Sequence, residues 1–372
     1  MTAVTSAAAT TVRTPDSQYP FCWATMGAST TAAMMAYPAP RTERSVVRRE
    51  MTNAWACSSH AGCWRRFSNL SVVRGLTRYA WFVLVCNVVV ILLGALVRAT
   101  GSGAGCGRSW PTCDGQIVPQ LEGATAVEFT HRAVSGLALL MVVALAVLVW
   151  RNTTRGQPAR TGAVLSVVAI VGEALIGAMI VLAEWVADDA SVARSVAVPL
   201  HLVNTLFLLA ALSLTIFWLG GGGRLDLRRD KVVTRAVLLG GLALAVIAAT
   251  GAVTALADTL FPKTPGADLS GESHFLTDLR IVHPVLAVLA SVVGWWVAAR
   301  AKAPTRFWAR SLPVLVGLML VTGAVNVALG VPIWMQLVHL ALADALWITY
   351  VFASAEALQV SAPTASRLSP SR

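Results

Sequence analysis

Charge is what this sequence has least of. Only 13% of its 372 residues are charged, against about a quarter in a soluble domain. An ordinary soluble globular protein is therefore excluded. Acids are the scarcer sign, 18 against 29 Lys and Arg, which leaves a net charge of +11. The basic residues are scattered over short loops and form no compact patch, so nucleic-acid binding is excluded too. Strict in–out alternation of apolar residues is missing, which argues against a spanning β-barrel. At the N-terminus no basic, apolar and small-residue succession marks a cleaved secretory signal.

What remains is apolar. The chain is 56% hydrophobic, and several runs reach the roughly 20 residues that a helix needs to cross a bilayer. Eight spans are expected, at about 79–97, 126–149, 162–183, 197–218, 236–257, 278–299, 311–329 and 334–355. The predicted class is an all-α polytopic membrane protein. From Arg65 onward, eighteen Lys and Arg fall on one set of loops and six on the other. The positive-inside rule makes the first set cytoplasmic and places both termini there. Residues 1–70 are unlike the rest, rich in Ala, Thr and Ser, and read as a disordered tail or as sequence before a later start at Met51. Cys57, His60 and Cys63 have a metal-like spacing but fall short of a tetrahedral site. Residues 357–372 read as a polar cytoplasmic tail.

The span pattern repeats. Each half has four spans, a long outer loop after the first, and a histidine in the second and fourth. Four spans per half preserve orientation, which predicts parallel repeats. Residues 79–219 and 236–356 are the two expected four-helix bundles, an architecture that builds cofactor sites from facing helices. The histidines are His131, His201, His283 and His339. Each is expected four or five residues into an inward-running span, a shared depth of roughly 6–8 Å. A lone histidine in a span is often no more than an interhelical hydrogen-bond donor. Four at one level, two per half, suit a flat cofactor clamped from both faces. Imidazole is a common axial ligand of haem iron, whereas zinc would want further protein ligands nearby. His274, in an outer loop, reads as a solvated residue.

The halves differ three residues before the first histidine of each, a spacing that shares a helix face. Glu128 precedes His131, and Arg280 precedes His283. A carboxylate can move a proton or stabilise positive charge, whereas a guanidinium suits a porphyrin carboxylate. The contrast places the reaction in the first half and a resident cofactor in the second. The plainer reading of Glu128 is an acid favoured at a helix N-terminus by the dipole. Cys106 and Cys113 lie in the outer loop before the Glu128 helix, close enough to close as a disulfide staple over that site, with a redox role as the other reading. Cys86, within a span, reads as packing.

Three segments together resemble the haem A synthase family. They are Gly94-Ala-Leu-Val-Arg98-Ala-Thr-Gly101-Ser-Gly-Ala-Gly-Cys106, Trp110-Pro-Thr-Cys113-Asp-Gly and Glu128-Phe-Thr-His131-Arg132. Pro199-Leu-His201, Val282-His283-Pro284 and Leu337-Val-His339 fall where the family has its later histidines. The resemblance implies oxidation of a haem O methyl to a formyl group by two successive hydroxylations, for cytochrome oxidase biogenesis. It implies eight spans, haem b iron on His283 and His339, substrate haem facing His131 and His201, an essential Glu128 and a Cys106–Cys113 pair. Residues 1–70 lie outside the family pattern. The expected setting is a bacterial plasma membrane and its lipid. An electron acceptor is required, and haem O synthase, oxidase assembly proteins and further copies of the chain are candidate partners. The competing readings are a two-haem electron carrier that makes nothing, and a proton-coupled transporter that carries no pigment.

Overall fold

The computed structural model describes residues 60–262, 274–300 and 307–360. The expectations placed on residues 1–59, on Lys263, Lys302 and Arg306, and on the tail beyond 360 lie outside them. Eight long helices follow in chain order: α1 His60–Ala99, α2 Gly123–Asn152, α3 Pro158–Leu182, α4 Val192–Leu219, α5 Lys231–Leu260, α6 Val282–Arg300, α7 Phe307–Ala328 and α8 Ile333–Leu358. A helical turn, Phe275–Asp278, and a 3-10 turn, Leu279–Ile281, lead into α6. All eight helices, α1 from Val72 and α6 with its lead-in turns, are long and apolar enough to cross a membrane. No strand occurs among the described residues, only isolated bridges such as Leu225 with Gln359. This is an all-α multi-pass membrane protein. In lipid a helix satisfies its own backbone, which is why apolar runs of this length take no other form.

The helices are longer than the apolar runs because polar residues cap them. Asp230 accepts from the N–H of Val232 and Val233 and starts α5. Ser191 accepts from the Arg194 N–H and starts α4, and Pro158 sits in the first turn of α3, where its missing N–H costs nothing. The histidines therefore lie deeper than the apolar runs suggest. His131, His201, His283 and His339 are eight, nine, eight and six residues past the first helical residue of their segments. At about 1.5 Å per residue that is roughly 9–13 Å, still one common level.

Packing joins neighbours in sequence, and then the two halves. In each half the last three helices pack in succession, while α4 and α8 also touch one another and α5. The helices of His201 and His339 thus stand at the seam, with those of His131 and His283 outside them. Leu76, Val83 and Leu84 of α1, Val142, Leu145 and Val149 of α2, and Leu209, Leu212 and Ile216 of α4 form the main core, joined by Phe352 of α8. Ala159, Ala163 and Ala169 let α3 approach closely, as small residues do between membrane helices. The Trp81 ring stacks on Phe352 and Phe352 on Trp308, at 5.4 and 4.5 Å between centroids, joining α1, α8 and α7. Trp347 Nε1 donates to the Leu206 carbonyl at 2.7 Å, tying α8 to α4.

Candidate functional site: two histidine pairs

In the second half, α6 carries His283 and α8 carries His339, with ring centroids 6.4 Å apart and planes at 87°. A metal held between two imidazoles sits about 2 Å from each nitrogen. Each ring centre then lies about 1 Å further back, giving roughly 6 Å between centroids. The pair has the spacing of two axial ligands. No group of three or more His, Cys, Asp or Glu that could hold a bare metal ion occurs among the described residues. Two imidazoles at this spacing could serve as the axial ligands of a haem iron.

The ring nitrogens confirm which atom is offered. Thr322 Oγ1 donates its one hydrogen to the Leu318 carbonyl (2.8 Å) and lies 3.0 Å from His339 Nδ1. In that orientation the hydroxyl accepts from Nδ1–H, which leaves the Nε2 lone pair for a metal. His283 Nδ1 sits 3.0 Å from the Ile247 carbonyl, an acceptor only, so its tautomer is fixed the same way. Bare backbone makes room for both rings. A Cβ added at Gly251 would lie 2.9 Å from His283 Cε1, and one at Gly323 would lie 3.3 Å from His339 Cε1.

The first half repeats the plan with different partners. His131 packs on Gly94, where a Cβ would meet Cε1 at 3.0 Å. Its buried Nδ1 makes no well-aligned hydrogen bond, although the Val90 carbonyl lies within reach of the ring. His201 Nδ1 lies 2.9 Å from Glu173 Oε2 of α3, at ion-pair distance but bent from a linear hydrogen bond. Glu173 Oε1 accepts from Asn204 Nδ2 at 2.6 Å. His131, His201 and Glu173 are within electrostatic reach of one another.

Glu128 is buried, 3% exposed, at the mouth of this half. Its Oε1 accepts from Arg132 Nε (3.1 Å) and Nη2 (2.5 Å), and its Oε2 from the Cys106 N–H (2.8 Å). Arg132 Nη1 donates in turn to the carbonyls of Ser109 and Thr112. Cys106 and Cys113 have their sulfur atoms at bonding distance, 2.03 Å, and both are buried. The pair Glu128–Arg132 thus grips the cysteine loop from both ends. In the second half, Arg280 Nε lies 2.9 Å from Asp258 of α5, and Nη2 donates to the carbonyls of Ala257 and Phe261. Neither residue of the expected contrast is a bare charge, since each is half of an ion pair.

His274 departs from the expected solvated loop residue. It is partly buried between the rings of Phe261 and Phe275, at 4.7 and 4.5 Å, and its Nδ1 accepts from the Leu276 N–H to cap the turn before α6. An imidazole against two aromatic rings is shielded from water.

Sequence reasoning missed Glu173, Asp258, Thr322 and the glycines. One signal was available. Every odd helix carries a Gly-Ala step, at Gly94, Gly177, Gly251 and Gly323, and in the second half each is preceded by threonine.

With this geometry in place, comparison with known proteins is direct. The family pattern of cytochrome oxidase assembly proteins matches residues 77–351. The chain belongs to this family, that of the haem A synthases. It is 48% identical over 295 residues to a Thermus thermophilus protein named protoheme IX farnesyltransferase, covering 76% of this chain and 48% of that one. It is 43% identical over 102 residues to a haem A synthase of Bacillus mycoides, covering 26% of this chain and 33% of the other. Against a haem A synthase of Bacillus licheniformis it is 44% identical over 94 residues, covering 25% and 31%. The match thus spans about half the length of the Thermus relative and about a third of each Bacillus one.

Proposed function

We propose that this protein is a haem A synthase that oxidises a methyl group of haem O to a formyl group. The observation that carries the reading is the duplicated histidine pair, one copy with Nδ1 set against neutral partners and the other beside carboxylates. His283 and His339 would hold haem b, with Arg280, steadied by Asp258, placed for a porphyrin carboxylate. Bound there, haem b supplies a one-electron relay away from the reacting half. His131 and His201 would face the substrate iron. Each hydroxylation joins a water oxygen to the methyl carbon and releases two electrons and two protons. After two rounds the geminal diol loses water to leave the formyl group.

Glu128 is the residue to receive a proton. An ionised carboxylate offers about four acceptor positions, and three are filled by Arg132 and the Cys106 N–H. One position on Oε2 remains for a water approaching the methyl carbon. The cysteine loop that Glu128 grips would close the outer side of the site. The membrane would be a bacterial plasma membrane with both termini cytoplasmic, and haem O synthase would supply the substrate. The electron acceptor and oxidase assembly proteins complete the proposed partners.

The same occupancy of Glu128 favours a second reading, a two-haem electron carrier in which Glu128–Arg132 only anchors the loop. Co-expression with haem O synthase, then extraction and chromatography of the haems, separates the two. Haem A is the expected product, and haem b alone would establish the carrier.

A further inference from the structure

The first-half pair is asymmetric in a way that the second-half pair is not. Both second-half histidines set Nδ1 against neutral oxygens, Ile247 O at 3.0 Å and Thr322 Oγ1 at 3.0 Å. In the first half His201 faces a carboxylate, whereas His131 has, among the described residues, only the neutral Val90 carbonyl within reach of its ring as a hydrogen-bond acceptor. The glycines follow the same division. Gly94, Gly251 and Gly323 lie under His131, His283 and His339, whereas the Cβ position at Gly177, the corresponding residue on α3, has nothing within 4 Å. His201 is instead drawn to Glu173, one turn before Gly177 on the same helix. An acid in the interior of an apolar span is costly and calls for a function. Glu173 is held there on purpose-built contacts: Asn204 Nδ2 donates both to Glu173 Oε1 (2.6 Å) and to the Ala169 carbonyl (2.9 Å), which fixes the carboxylate's other oxygen on His201.

We propose that Glu173 is the positioning residue of the first-half site, holding the His201 ring by Nδ1 so that Nε2 is the firm ligand to the substrate iron, with His131 as the weak, exchangeable one. A carboxylate behind a ligating imidazole fixes its tautomer and raises its donor strength. Stronger donation favours the ferric over the ferrous state. A substrate haem must also leave as product, and one firm ligand opposite one weak ligand permits exchange, which a resident cofactor does not need. The second half, with two equivalent neutral settings, suits permanent occupancy. The inference rests on the haem-pair reading above.

The test uses the full-length protein in detergent with haem b bound and haem O added. The Kd for haem O and the midpoint potential of each haem are followed by spectroelectrochemistry for wild type, Glu173→Gln, Glu173→Ala and Asn204→Ala. Loss of a group behind a metal-bound histidine costs 10–100-fold in affinity. Glu173→Ala should therefore weaken ferric haem O at least tenfold, which raises its midpoint by about 59 mV if ferrous binding is unchanged. Glu173→Gln keeps the volume and an acceptor oxygen but not the charge, and should fall between. Asn204→Ala leaves His201 its carboxylate and should shift the potential least. The haem b midpoint should not move in any variant, which a general loosening of the bundle would not predict. If the wild type binds haem O and its affinity and potential are the same in Glu173→Gln and Glu173→Ala, this inference alone is overturned. If the wild type takes no haem in the first half, the haem-pair reading fails with it.

Discussion

The two halves share a plan of four helices and two histidines, but they hold themselves together differently. The first half has most of the core, running through α1, α2, α3 and α4. In the second, the core cluster is Leu256, Ala257 and Leu276 at the outer end, and the most apolar stretches of α5 and α7 bury no residue. A half with little core of its own gains more from what its histidines bind, because a porphyrin buries apolar area on several helices at once. A first half with a core of its own would keep its shape when a haem left it. The same difference appears in the polar groups. At the ring nitrogens, His201 Nδ1 faces the Glu173 carboxylate, while His283 and His339 face a carbonyl and a hydroxyl.

The comparison breaks most sharply at the histidines. Removing His283 or His339 should abolish the stable haem b spectrum and lower the thermal stability of the whole protein. Removing His131 or His201 should leave haem b in place and a folded protein that makes no haem A. Haem content by pyridine haemochrome and melting in detergent check this. Equal loss of haem b from both classes of variant would show that the halves are not specialised.

Glu128 gives the next largest effect. Glu128→Ala strands the buried Arg132 guanidinium and the Cys106 N–H, at a cost of about 3–5 kcal/mol, so lost activity there would prove little. Glu128→Gln keeps an oxygen for Cys106 and most of the volume but removes the proton acceptor. Its haem A yield should fall by roughly 100-fold or more, in the range of a lost general base, while Cys106 and Cys113 stay protected from thiol labelling without reductant. Normal haem A from Glu128→Gln would reduce Glu128 to a loop anchor.

The eight helices were legible because membrane helices are written in long apolar runs, and the four histidines because polar atoms are rare within them. Their partners were not legible. Asp258 meets Arg280, and Glu173 meets His201, across different helices, and nothing in the local pattern of either says which way it points. Helix length was underestimated for a related reason. Ser191 and Asp230 end the apolar pattern but not the helix, since their side chains satisfy the first backbone donors. The depth of the histidines shifted with it. The contrast between Glu128 and Arg280 was visible, but its ion-pair partners changed its meaning from two opposite charges to two neutralised sites.

The smallest effects discriminate most finely, because they touch the histidines only through packing. Alanine at Gly94, Gly251 or Gly323 places a methyl group 2.9–3.3 Å from an imidazole carbon, so ring or helix must give way. Overpacking of this kind costs about 1–3 kcal/mol. Gly251→Ala and Gly323→Ala should shift the haem b absorption band and speed haem loss, whereas Gly94→Ala should spare haem b and weaken haem O binding. Gly177→Ala has open space before it and should change neither. Helix propensity alone would make all four alanines mildly stabilising. A common response from the four would therefore mean that the Gly-Ala step serves the helices. Three that disturb a histidine and one that does not would mean that the step seats the imidazoles, with His201 seated by Glu173 instead.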